Sequence, residues 1–185
     1  MASPSPISGV LLLCLDVQAP FLGVMPDGDR VLKRCQFAAA AAHGLGMPVA
    51  FTEQVPQKLG PTVPELLARA PGAPQYGKTT FSALADDGIR DAIRAFDLDH
   101  LILCGLETPV CVYQTALDAL DQQFQVTLLS DAITARRADD AAVATDALIR
   151  AGVHVLPAET VFYALLRDAR HPFFKAYTQL VKDHA

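Results

Sequence analysis

A chain of 185 residues with 51% hydrophobic content and no low-complexity tract is the size of one domain with a substantial core. A net charge of −5 and a pI of about 5.4 remove any general electrostatic pull toward nucleic-acid phosphates or anionic membrane surfaces. Four cysteines without a C-x-x-C pair or a repeated spacing to histidine argue against a disulfide scaffold and a cysteine zinc site, and fit a reducing compartment.

The N-terminal MASPSPISG has no charged segment followed by a long apolar one, and no run reaches the about 18 residues of a membrane-spanning helix. The expectation is a single domain over residues 1–185, cytoplasmic, with neither nucleic acid nor a membrane as partner. Residues 7–17, ISGVLLLCLDV, form a nearly unbroken apolar run, the pattern of an interior parallel strand closed by Asp16. A carboxylate there either caps the following turn or works in the crevice at the carboxyl edge of an open α/β sheet. Gln18 and Phe21 follow at the same edge, in a loop through Pro20, Pro26 and Gly28. Asp29 to Gly44 reads as a helix, stopped by Gly44 and Gly46.

Met47 to Thr52 is the second predicted strand. It opens into residues 53–65, EQVPQKLGPTVPE, whose prolines and glycine forbid regular structure; long loops after strands are usually functional. Lys58 in this loop is either solvated or turned toward an anionic or carbonyl group. A short helix over 65–70, a small strand at Gln75-Tyr76 and a turn through Gly77-Lys78 into another short helical segment come next. Gly88 to Phe96 is amphipathic, with Ile89, Ile93 and Phe96 at helical spacing.

Leu101 to Cys104 is short and apolar enough to be a strand buried on both faces, with Gly105 expected to end it. Thr108 then serves as N-cap and Pro109 as the first helical residue, where a missing N–H costs nothing. That puts Cys111 in the first helical turn, where unpaired amides and the helix dipole favour a thiolate and a lowered pKa. Cys14, Cys35 and Cys104 lie in apolar surroundings and read as core. Gln125 to Leu129 is a strand ended by Ser130-Asp131, with Asp131 expected to pair with Arg136 or Arg137. A helix over 138–151, a strand over 153–156 and helical segments from Thr160 and through HPFFKAYTQLVKD complete the chain.

Six strands alternating with helices, with no hairpin signal, define an α/β fold with a mostly parallel, about six-stranded sheet covered on both faces. If the strand at 101–104 lies beside that at 10–15, Asp16 and Cys111 face one crevice. The residue types then suggest a reaction. Asp16 would take the thiol proton, Cys111 would attack a carbonyl carbon, and Lys78 would tune both through its charge. The backbone N–H groups of Glu107 and Cys111 would receive the oxyanion.

The segments LCLDVQ at 13–18, YGKTTFSAL at 76–84 and GLETPVCVYQTALDAL at 105–120 resemble the isochorismatase-like cysteine hydrolases. TEQVPQKLGPTVPEL at 52–66 is similar, more narrowly, to the isochorismatase-domain-containing subgroup, whose substrate is uncertain. The resemblance covers almost the whole chain. It implies a Rossmann-like three-layer α/β/α sandwich, a triad of Asp16, Lys78 and Cys111, and a non-proline cis peptide between Leu106 and Glu107 shaping the oxyanion hole. It also implies assembly into a homo-oligomer, dimer or larger, with the pocket near a subunit contact.

Where zinc-dependent nicotinamidases of that superfamily carry Asp-x-His after the second strand, this chain has Thr52-Glu53-Gln54, and none of its five histidines forms a close pair. No metal and no cofactor are expected; a dinucleotide fingerprint is also absent after the first strand. The pocket is expected to draw on Gln18, Phe21, Gln54, Lys58, Leu106 and Thr108. The resulting expectation is a metal-independent cysteine hydrolase of a small amide or related C–N substrate, working through a thioester-type intermediate. The alternative is a catalytically silent oligomeric interaction protein on the same fold.

Overall fold

In the computed structural model, which describes residues 8–184, all six predicted strands form. The N-terminal reading of MASPSPI lies outside the described residues. The strands are β1 (Val10–Leu15), β2 (Val49–Gln54), β3 (Gln75–Lys78), β4 (His100–Leu106), β5 (Gln125–Thr134) and β6 (His154–Leu156). They hydrogen-bond in the order β3-β2-β1-β4-β5-β6, and every pairing is parallel. Chain order therefore reverses between β1 and β4, and a crevice opens there at the carboxyl edge.

Strand periodicity sorts the core into two layers, because alternate side chains point to opposite faces. Leu12, Cys14, Ile102 and Cys104 pack under α2 (Gly28–Gly44), α8 (Ala158–Leu166) and α9 (Phe174–Asp183). Leu11, Leu13, Leu15, Leu101 and Leu103 pack on the opposite face, under α5 (Asp87–Arg94), α6 (Tyr113–Asp121) and α7 (Ala138–Ala151). Both faces of β1 and β4 are sealed, which is why their sequences are apolar throughout rather than alternating.

Two boundaries differ from the sequence reading, each for a physical reason. Gly105 does not end β4. It lies inside the strand at φ 131°, where a Cβ would stand 2.1 Å from the Leu15 carbonyl oxygen, so glycine is what lets β4 run against β1 up to Leu106. Ser130-Asp131 does not end β5 either. A register shift between Leu103 and Gly105 lets Ile133 and Thr134 pair with Gly105 and Leu106, so the strand continues through its polar middle. Asp131 accordingly pairs with Arg34 at 2.7 Å and accepts the Ala158 N–H, while Arg136 and Arg137 turn to Glu107 and Asp140.

The loops at 19–30 and 53–65 hold more structure than their prolines suggested. Single helical turns occupy α1 (Ala19–Leu22), α3 (Pro56–Leu59) and α4 (Pro64–Leu67), each with proline in its opening positions. Proline forbids a helix interior but suits a helix start, so it seeds these turns.

Candidate active site

Asp16 is the first residue past β1 and adopts a left-handed backbone, φ 56°, a conformation short polar side chains tolerate. Its N–H donates to the Thr52 carbonyl at 3.0 Å, which fixes the turn against β2. One carboxylate oxygen accepts the Thr52 hydroxyl at 2.7 Å, and the other accepts Lys78 Nζ at 2.7 Å. Lys78 ends β3, two strands away, and reaches Asp16 over the end of β2, where Gln54 is its register partner. The ammonium also donates to Gln54 Oε1 at 2.6 Å and contacts the Thr80 and Phe81 carbonyls at 3.2 Å. The side chains of Lys78 and Asp16 are 0% and 2% exposed. A buried pair of charges is tolerable because nearly every donor and acceptor is satisfied.

Cys111 arrives from the other side of the crevice. Its segment, Thr108–Val112, is a π-helical turn that runs into α6. Glu107, in a left-handed conformation (φ 57°, ψ 61°), turns the chain out of β4. The expected N-cap is therefore corrected. Thr108 is fully buried and its hydroxyl donates to the Thr134 carbonyl at 3.1 Å rather than to its own helix. The expected cis bond is corrected as well: no cis peptide occurs among the described residues, and the positive φ of Glu107 makes the sharp turn with a trans Leu106–Glu107 bond.

The Cys111 sulfur lies 3.8 Å from Lys78 Nζ, so Asp16, Lys78 and Cys111 form one group. Its thiol, 4% exposed, is pushed up to about 12, first by burial and then by the adjacent Asp16 charge. Lys78 offsets this only in part, and Glu107 adds to it. The lowered pKa expected from the helix terminus is thus reversed. A thiolate beside Asp16 would place two negative charges against one ammonium in a site with little water.

A cavity of about 340 Å³ opens onto the sulfur. Two expected pocket residues line it, Phe21 and Gln54, together with Glu107. Four do not. Gln18 is buried and clamps the loop, accepting the Gln54 N–H at 2.7 Å and donating to the Gly60 carbonyl at 2.6 Å. Lys58 is exposed on α3, Leu106 belongs to the core and Thr108 holds β5. The residues the sequence reading missed are Pro20, Val24, Phe81, Val110 and Arg136. Phe81 had a signal, three residues past Lys78 in the same turn. Arg136 was masked by ending β5 too early: with the strand running to Thr134, it stands two residues past the carboxyl edge.

The remaining cysteines contrast with Cys111. Cys14 and Cys104 face each other across β1 and β4 with sulfurs 3.4 Å apart, and Cys35 approaches the Ala132 carbonyl. All four are unbridged. Among the described residues no helix is long and apolar enough to cross a membrane, and no three His, Cys, Asp or Glu side chains gather as a metal-binding group.

An all-parallel α/β sheet with an acid, a lysine and a cysteine meeting at its switch point defines a class, and the isochorismatase-domain family model matches residues 10–160: the chain belongs to the isochorismatase family. Isochorismatase domain-containing protein 2 of Bos taurus is 38% identical over 179 residues, covering 96% of this chain and 85% of that protein. The secreted isochorismatase effector Isc1 of Phytophthora sojae is 33% identical over 183 residues, covering 97% and 87%. Among solved structures, the MAR1 ribonuclease from Caenorhabditis elegans superposes with a TM-score of 0.88 at 29% identity, over 96% of this chain and 93% of that one.

Proposed function

We propose that this chain is a metal-independent cysteine hydrolase that cleaves a small amide or related C–N bond. The observation that carries this reading is the Lys78 ammonium, 2.7 Å from Asp16 and 3.8 Å from the Cys111 sulfur, behind a cavity that Cys111 lines. Asp16 accepts the thiol proton as the sulfur attacks the substrate carbonyl carbon. Because burial pushes the thiol up, transfer concerted with attack suits this site better than a resting thiolate. The oxyanion is received by the Glu107 and Cys111 backbone N–H groups. Collapse breaks the C–N bond, the proton leaves with the amine, and a thioester remains. Water then gives a proton to Asp16 and adds to the thioester, releasing the acid and restoring the thiol.

Ammonia release over a panel of small amides, with Cys111→Ser as the blank, tests this. Turnover in the wild type with an acyl adduct on Cys111 after acid quench is expected. No turnover and no adduct across the panel would leave the silent interaction protein as the reading. The nematode relative is named a ribonuclease, but a net charge of −5 and a cavity lined by Pro20, Phe21, Val24 and Phe81 support a small, partly apolar substrate over RNA. Four free cysteines support a cytoplasmic location, and exposed Val143 and Ile149 on α7 support a homo-oligomer.

A further inference from the structure

The cavity over Cys111 is lined by one cationic residue, Arg136, and it is held in a particular way. Arg136 Nε donates to Glu107 Oε1 at 2.5 Å. The Glu107 side chain is 10% exposed and is the residue that turns β4 toward Cys111, so this contact ties the guanidinium to a rigid part of the site. The Arg136 side chain is 64% exposed, and among the described residues neither of its Nη nitrogens has a hydrogen-bond acceptor. Arg34 offers a contrast: its nitrogens are engaged by Asp131, the His184 carbonyl and Glu159. Arg137, next in sequence, closes onto Asp140 through Nε and Nη2. Arg136 therefore presents the terminal edge of its fork, the edge that matches the two oxygens of a carboxylate.

Resting on the proposed amide hydrolysis, we infer that Arg136 determines specificity by anchoring a carboxylate carried by the substrate, so that the site selects small amides with an anionic group. The alternative ion to recruit would be a cation on Glu107. That carboxylate is nearly buried, and one of its oxygens is already taken by Arg136. The Pro20, Phe21, Val24 and Phe81 wall of the cavity accepts the hydrocarbon between the amide and the acid. Glu107 and Arg136 also border a second cavity of about 460 Å³, which reaches Arg137 and Asp140 and includes none of Asp16, Lys78 and Cys111. A control at Arg137 therefore separates the two.

The test compares malonamate, succinamate and glutaramate with their neutral methyl esters, following amide cleavage by ammonia release. In the wild type at least one acid is expected to outperform its ester in kcat/KM. Losing a charge-assisted contact in Arg136→Ala is expected to lower kcat/KM for that acid about 10- to 100-fold more than for its ester, chiefly through KM, because any disturbance passed through Glu107 falls on acid and ester alike. Arg136→Lys should fall between, and Arg137→Ala should match the wild type, which excludes a mere change of net charge. Equal loss for acid and ester, or an unchanged acid-to-ester ratio in Arg136→Ala, overturns the inference while leaving amide hydrolysis intact. If none of the amides is cleaved, calorimetric titration of the three acids decides: binding to wild type that is lost in Arg136→Ala sustains the anchor, and binding to neither protein ends it.

Discussion

Three cysteines of the core and the single Cys111 at the crevice differ in what they can do. Cys14, Cys35 and Cys104 sit between β1, β4 and α2, in hydrocarbon. Cys111 is almost as buried, but one side of it meets the Asp16–Lys78 pair and another meets a cavity. The thiol pKa is raised in both places: contacts with neighbouring thiols, Cys104 for Cys35 and Cys14 for Cys104, and then burial push Cys35 and Cys104 well above their ordinary value, and burial pushes Cys111 up to about 12. Neither burial nor acidity distinguishes the reactive candidate. Contact with the ammonium of the Asp16–Lys78 pair and room for a substrate do.

The sharpest way to break this comparison is to exchange roles by mutation. Cys111→Ala is expected to lower amide turnover by at least about 10³-fold while shifting the urea midpoint little, and Cys104→Ala to keep turnover while losing about 1–2 kcal/mol of stability. Similar activity losses for both would show that the two groups are not functionally distinct. Lys78→Met strands the Asp16 carboxylate without its counter-ion. Urea denaturation should register a loss of about 3–5 kcal/mol, and a loss below about 1 kcal/mol would mean the pair is not sealed from solvent.

A gentler probe is pH. The folded pKa of Cys111 lies above the ordinary thiol value of 9.0, so its contribution to stability is present below pH 9 and lost as pH rises toward 12. Cys111→Ala should flatten its part of that decline. In the native protein, iodoacetamide labelling of Cys111 should climb through the same alkaline range, with the other three thiols silent until unfolding. A labelling plateau near neutrality would instead mean a resting thiolate. The smallest effect belongs to the surface. Arg150→Ala removes an exposed pair with Asp146 and should change stability by no more than about 0.5 kcal/mol in the same urea assay.

Much of the fold is legible in the sequence because buried parallel strands must be apolar on both faces. Runs such as VLLLCL and LILC can be little else once helices separate them. The ends of elements were less legible. Gly105 and Ser130-Asp131 look like stops, yet a close β1–β4 approach and a register shift carry both strands onward. Prolines at 56 and 64 look like breakers and instead open helical turns. That Asp16, Lys78 and Cys111 stand together at the sheet's carboxyl edge was readable from residue type beside a strand end or turn. Gln18 was not, because a polar residue at the correct edge can serve the loop's backbone as readily as a ligand.

The order of residues by itself determined a two-faced parallel sheet and which acid, amine and thiol stand at its carboxyl edge, since periodicity and chain punctuation are local properties. Tertiary structure alone decided that the thiol is pushed up rather than down and that Arg136, rather than Lys58, overlooks it. Both depend on desolvation and on which charges meet across the crevice, and those are set by distances between elements far apart in the chain.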